Sequence, residues 1–193
     1  METTQRINQT LDEIFGLYEQ HGGDDYIGEP VSQLEHMSQS AALARQAGYA
    51  DEVVLAAFFH DIGHLCVHRQ PTENMGGYGV LQHEQIGASY LQEKGFSETL
   101  VRLVAYHVQA KRYLTGTDPA YYRQLSDASR QTLQYQGGPM TPAEAAAFAQ
   151  DPLFALSIRM REWDEQAKAQ HVPVPDLAAM RHLAFEHLSA LQQ

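Results

Sequence analysis

The chain has 193 residues, 44% of them hydrophobic and 19% charged, enough for one domain with a real core. A net charge of −11 with histidine neutral argues against a nucleic-acid partner, whose phosphates need a basic face. The single cysteine, Cys66, excludes an intramolecular disulfide framework and thiolate-rich zinc sites, and no apolar stretch approaches the ~20 residues of a membrane span.

In chain order the pattern is helix after helix. The start, "METTQRINQTLDEIFG", has neither a basic leader nor a long apolar run, so the expected compartment is cytoplasmic and no membrane partner is expected. Ile7, Leu11, Ile14, Phe15 and Tyr18 recur at helical spacing until Gly22 and Gly23 end the segment. Residues 31–47 read as a second helix and 51–60 as a third, with Asp51 as its cap. The Pro and Gly of "HRQPTENMGGYGV" (68–80) mark a loop. Helices follow at 82–94, behind Ser97, and over 118–135. "QGGPM" is a turn, and "TPAE" (141–144) supplies a Thr cap, a Pro at the first helical position and a Glu at the third. Two last helices are expected over 151–169 and 175–191. With no strand-like alternation, repeat or linker, the expected fold is all-α, a single domain over 1–193.

Ten histidines are many for this length. His21, His68, His171, His182 and His187 stand in polar or terminal contexts and read as solvated. The others sit differently. His36 shares a helical stripe with Leu43, His60 and Asp61 end the apolar run "AAFFHDIGHL", and His64 follows one turn on. His83 opens a helix after the Gly-rich loop, and His107 has apolar neighbours in "VAYHVQAK". Asp164 lies three positions after Arg161, so both project from one helical face. Any one of these has a bland explanation, since a lone helical His is commonly a hydrogen-bonded core residue. As a set, four imidazoles and two carboxylates suit iron, manganese or zinc. Asp61 carries two oxygens and can bridge two ions, and six ligands suit two ions that keep open positions better than one.

That order of ligands is the pattern of the HD-domain superfamily. Over almost its whole length the chain resembles the HD-domain mixed-valent diiron oxygenases that break carbon–phosphorus bonds. The resemblance runs from "DDYIGEPVSQLEH" through "AAFFHDIGH", "ENMGGYGVLQHEQIGASYL", "HVQAKRYL" and "LSDASRQTLQYQGGPM" to "IRMREWDEQAK". Its specific motifs are "MGGYGV" followed by "QHE", and "YQGGPM"; the His-Asp dipeptide alone would be weak. The resemblance implies an HD-domain helical bundle with a metal-binding core over about 31–169, on which the N-terminal and C-terminal helices pack. An inositol-cleaving HD oxygenase shares the diiron core, so two irons do not by themselves fix the substrate.

Residue by residue, the resemblance implies one iron on His36, His60, Asp61 and Asp164, and a second on His83 and His107 with Asp61 as the bridge. The cofactor would be two iron ions in the mixed-valent Fe(II)/Fe(III) state, with O2 as co-substrate. His64 would be a catalytic, substrate-facing group. Lys111 and Arg161, on ligand-bearing helical faces, would clamp phosphonate oxygens; otherwise they are surface cations in helical pairs. Ser129 and Gln136, flanking "YQGGPM", would be lesser substrate contacts. Tyr26 and Glu29 in "DDYIGEP" would recognise the amino end of the substrate and cover the iron as a lid; otherwise they belong to an ordinary polar loop. The implied partner is a small organophosphonate, met by a monomer or weak homodimer. The reaction expected first turns (R)-2-amino-1-hydroxyethylphosphonate into glycine and inorganic phosphate. The same chemistry on 1-hydroxy-2-(trimethylamino)ethylphosphonate, giving glycine betaine, is one alternative. A metal-dependent HD phosphohydrolase acting on nucleotides is another, and a metal-binding module without activity is a third.

Overall fold

Residues Val53 to Phe59 of the run "DEVVLAAFF" are buried without exception, as a helix apolar all round must be. This is α3 (Asp51–Phe59), the centre of the molecule. Around it stand α2 (Gln33–Gln46), α5 (Glu98–Thr117), α9 (Phe154–Gln166) and α10 (Leu177–Ala190). The chain begins with α1 (Glu2–His21) and continues past α3 through a 3-10 helix (Ile62–His68) into α4 (His83–Glu93). Three short helices, α6 (Pro119–Gln124), α7 (Asp127–Tyr135) and α8 (Pro142–Phe148), lie between α5 and α9. The computed structural model describes residues 2–26, 28–68, 73–173 and 176–192. Residues 69–72 of the expected loop, the His68 side chain and the expected helix start at 175 lie outside the described residues. Among the described residues there is no strand, only isolated bridges at Asp25–Ser32 and Asn74–Val80. The fold is all-α.

Local chemistry sets most helix starts. Ser32 and Glu35 form a capping box for α2, as do Thr141 and Glu144 for α8, and Ser97 accepts from Leu100 N to start α5. On α1 the apolar stripe Ile7, Leu11, Ile14, Phe15 and Tyr18 faces inward. Tyr18 stacks on Phe58 with centroids 4.7 Å apart and donates its hydroxyl to the Phe58 carbonyl at 3.3 Å. That bond satisfies one of the free carbonyls at the C-terminal end of α3.

The structure departs from expectation at four places. Asp51 is the first helical residue rather than the cap; Ala50 is the N-cap and makes no side-chain bond. Residues 118–135 are two helices, because Leu125 is extended and buried and Ser126 caps α7 by accepting from Ser129 N. The 3-10 helix after Asp61 was not expected, although Ile62, Leu65 and Cys66 stand at helical spacing and are buried. His187 is not solvated: it stacks on Phe96 at 5.6 Å, accepts from Ser97 N at 3.4 Å, and burial lowers its pKa.

Candidate metal centre and substrate cleft

Five helices converge on one buried point. His36 comes from mid-α2, His60 caps the C-terminus of α3, and Asp61 follows it directly. His83 is the first residue of α4, His107 lies in α5 and Asp164 in α9. None of the six is more than 4% exposed.

Each imidazole is oriented by a backbone carbonyl. His60, His83 and His107 donate Nδ1–H to the carbonyls of Ala57, Val80 and Val104, at 2.8, 3.1 and 2.7 Å. Each acceptor lies three residues earlier, so these bonds are local. His36 donates instead to Ala167 O at 2.9 Å, which ties α2 to the end of α9. A carbonyl only accepts, so all four rings carry the proton on Nδ1 and, when neutral, present a bare Nε2 lone pair.

Those lone pairs face one another. His36 Nε2 lies 3.1 Å from His60 Nε2, and His83 Nε2 lies 3.0 Å from His107 Nε2. Asp61 stands between the pairs and divides its oxygens. Oδ2 is 3.5 Å from His36 and 3.3 Å from His60, while Oδ1 is 3.3 Å from both His83 and His107. Asp164 Oδ1 completes the first group at 3.4 Å from His36, buried without a hydrogen-bond partner. Two groups that could each hold a metal ion result: His36, His60 and Asp164, and Asp61, His83 and His107.

Facing lone pairs and an orphaned buried carboxylate oxygen are what a cation resolves, so these residues fit a two-metal centre. Burial pushes the Asp61 carboxyl up, but the electrostatic pull of His60 and of the facing His107 and His36 rings holds it well below the usual range. Burial also disfavours charge on His36, yet Asp164 and Asp61 outweigh it and raise its pKa to about 9. The carboxylates draw even a proton to this point.

Beside the centre opens a cleft of about 50 Å³, lined in part by Asp61, Asp164, His64, Lys111 and Arg161. His64 accepts from Val80 N at 3.1 Å through Nδ1, so its proton sits on Nε2. Burial and the neighbouring His83 drive its pKa down to about 3, against Asp61, and its ring stacks on His83 at 4.1 Å. It is a neutral donor. Gly79 makes room for this ring, since a Cβ there would meet His64 Cε1 at 2.6 Å.

Lys111 and Arg161 are 3% and 4% exposed, which rules out the surface-cation reading. Lys111 Nζ donates to Thr132 Oγ1 at 2.7 Å and to Gln136 Oε1 at 3.0 Å. Arg161 pairs with Asp164 and Glu165, and its Nε donates to Tyr121 at 2.7 Å. Ser129 and Gln136 also line the cleft. The Tyr26 ring lies on His36 with centroids 4.0 Å apart, and its hydroxyl hydrogen-bonds to Asp61. Burial and that carboxylate push the phenol well up, so it stays protonated.

Glu29 lines the cleft but is not a free carboxylate: Lys168 and Ser126 already donate to it. Sequence reasoning passed over Lys168, Gln33, Thr132 and Tyr121. Thr132 stands four positions before Gln136 on α7, a spacing that could have flagged it. The other three carry no local signal.

Comparison with known proteins agrees with this geometry. The HD domain model matches residues 33–145, which includes five of the ligand candidates and leaves Asp164 to the segment beyond. An uncharacterized protein, L432, of Acanthamoeba polyphaga mimivirus is 45% identical over 96% of this chain and 84% of its own. A [1-hydroxy-2-(trimethylamino)ethyl]phosphonate dioxygenase (glycine-betaine-forming) of Leisingera caerulea is 39% identical, over 84% of this chain and 82% of its own. A hydroxymethylphosphonate dioxygenase of Gimesia maris is 38% identical, over 85% and 81%. A match across more than half the sequence, with the His-Asp pair at the junction of two facing histidine pairs, means that the chain belongs to the HD-domain family.

Proposed function

We propose that this protein is an iron-dependent oxygenase that cleaves the carbon–phosphorus bond of a small 1-hydroxyphosphonate. Its preferred reaction converts (R)-2-amino-1-hydroxyethylphosphonate and O2 into glycine and inorganic phosphate. The observation that carries the reading is Asp61, whose two oxygens face separate histidine pairs at the edge of a cleft that also holds Lys111 and Arg161. The two relatives named as phosphonate dioxygenases support the same class.

In this reading His36, His60 and Asp164 hold one iron, His83 and His107 the other, and Asp61 lies between them. When bound, the two irons supply the activation of O2. The substrate carries one oxygen on C1 and three on phosphorus, and the products carry two and four. Each product therefore gains one atom of O2. Lys111 and Arg161 bind the phosphonate oxygens, and His64 donates its Nε2–H. Met75, Val108 and Ala128 form the apolar part of the cleft wall and limit water. The glycine-betaine-forming relative keeps the trimethylated substrate as the second reading.

The experiment is turnover under ¹⁸O2 with 2-amino-1-hydroxyethylphosphonate and metal analysis alongside. One heavy atom in the glycine carboxylate, one in the phosphate and about two irons per chain are expected. Anaerobic release of phosphate from a nucleoside monophosphate, with no label from ¹⁸O2 in any product, would overturn it.

A further inference from the structure

Glu29 reaches the cleft already partnered. Its Oε1 accepts from Lys168 Nζ at 2.9 Å and from Ser126 Oγ at 2.6 Å. The ion pair is largely withdrawn from water, with side chains 16% and 10% exposed for Lys168 and Glu29. Lys168 stands just past the end of α9, and a second carboxylate, Glu165 Oε2, lies 3.5 Å from its Nζ. If Lys168 lets go of Glu29 and swings aside, Glu165 is at hand as its counter-ion.

Gln33 lines the same cleft and is 8% exposed. Its Nε2 donates to Asp25 O at 3.4 Å, which fixes the orientation of the amide, because that carbonyl can only accept. Its Oε1 is left buried with no hydrogen-bond partner. A buried acceptor without a donor is costly, and Lys168 does not satisfy it.

We propose that Lys168 is a specificity-determining residue, a resident cation that holds Glu29 in place of a substrate ammonium and yields only to a nitrogen that carries hydrogens. The proposal rests on the phosphonate reading above. Exchanging one ammonium for another at Glu29 changes the Coulomb energy little. What tips the exchange is the extra N–H bond to Gln33 Oε1, which a primary or secondary ammonium can make. A trimethylammonium has no hydrogen to donate and loses the exchange. The substrate class is therefore 1-hydroxyphosphonates with a hydrogen-bearing ammonium at C2.

The test is equilibrium binding under argon to the iron-loaded protein. The probes are 2-aminoethylphosphonate, its N,N,N-trimethyl derivative and ethylphosphonate. The unaltered protein should prefer the amine over the trimethyl probe by about tenfold, the worth of one charge-assisted hydrogen bond. Gln33→Met should erase that preference. Lys168→Met should tighten both cationic probes by about tenfold while ethylphosphonate shifts less than about twofold. Lys168→Gln serves as the second variant where Met impairs folding. Weaker binding of the amine by the Lys168 variants, or an equal shift of all three probes, overturns the proposal, since Lys168 then merely positions Glu29 or the loop. A trimethyl probe bound by the unaltered protein as well as the amine also overturns it. Failure to bind any of the three sinks the phosphonate reading itself and this proposal with it.

Discussion

At the scale of single residues, Lys111 shows what it costs to bury an amine beside a guanidinium. Burial and the nearby Arg161 push its ammonium well below the ordinary lysine value, against the pull of Asp164, with Lys168 adding to the push. The unfolded chain keeps that proton up to about pH 10.4. Between the depressed value and that limit the folded protein binds fewer protons than the unfolded chain. Stability therefore rises with pH through this window, and the penalty is greatest towards its acid end. Lys111→Met removes the penalty at similar volume. It should raise the melting temperature, by the equivalent of about 1–4 kcal/mol near neutral pH, and by less near pH ~9.5. It should also weaken phosphonate binding by at least about tenfold. Thermal unfolding at both pH values and calorimetric titration check this. A variant less stable than its parent at neutral pH would mean that the bonds to Thr132 and Gln136 outweigh the desolvation. The residue types and their order were legible in the sequence, because ligand chemistry belongs to individual side chains. The partner of Glu29 was not: Lys168 is 139 positions away, and nothing local announces the pair.

At the scale of elements, the candidate metal centre depends on how closely the 3-10 helix meets α4. A Cβ on Gly63 would lie 1.9 Å from the His83 carbonyl oxygen, and one on Gly87 would lie 3.0 Å from Gly63 N. This contact sets His83 against Asp61. Gly63→Ala should push α4 away. The expected loss is about 1–3 kcal/mol of stability and about one bound ion per chain, read by urea unfolding and elemental analysis. An alanine variant with full stability and both ions would mean that α4 can shift without carrying His83 along. Element starts with a Ser or Thr cap, at Ser97 and Thr141, were readable because a cap bonds only to its own first turn. The break of 118–135 at Leu125 was not. Leu125 leaves the helix to become 3% exposed, and burial is decided by other elements.

At the scale of the whole molecule, the candidate ligands come from α2, the end of α3, α4, α5 and α9. Ions bound there bind only the folded chain and stabilise it by mass action. Each should add about 2.7 kcal/mol at a hundredfold excess over its Kd. For a chain of this size that corresponds to about 5–10 °C per ion. A chelator should therefore lower the melting temperature by about 10–20 °C, and Fe(II) added under argon should restore it. An unchanged melting temperature after verified metal removal would detach the cluster from the stability of the fold. No helix of the described residues is long and apolar enough to cross a membrane.

By itself the sequence determined most of the helices, the starts at Ser97 and Thr141, the all-α class and the side chains able to ligate a metal. Those properties arise within a turn or two of each residue. Tertiary structure alone decided that Asp61 turns one oxygen to each histidine pair, and that Arg161 and Lys111 are buried beside the cleft. It also decided that Lys168 pairs with Glu29 across 139 positions of chain. These depend on the angles at which separate helices cross, which side-chain packing across the whole core sets.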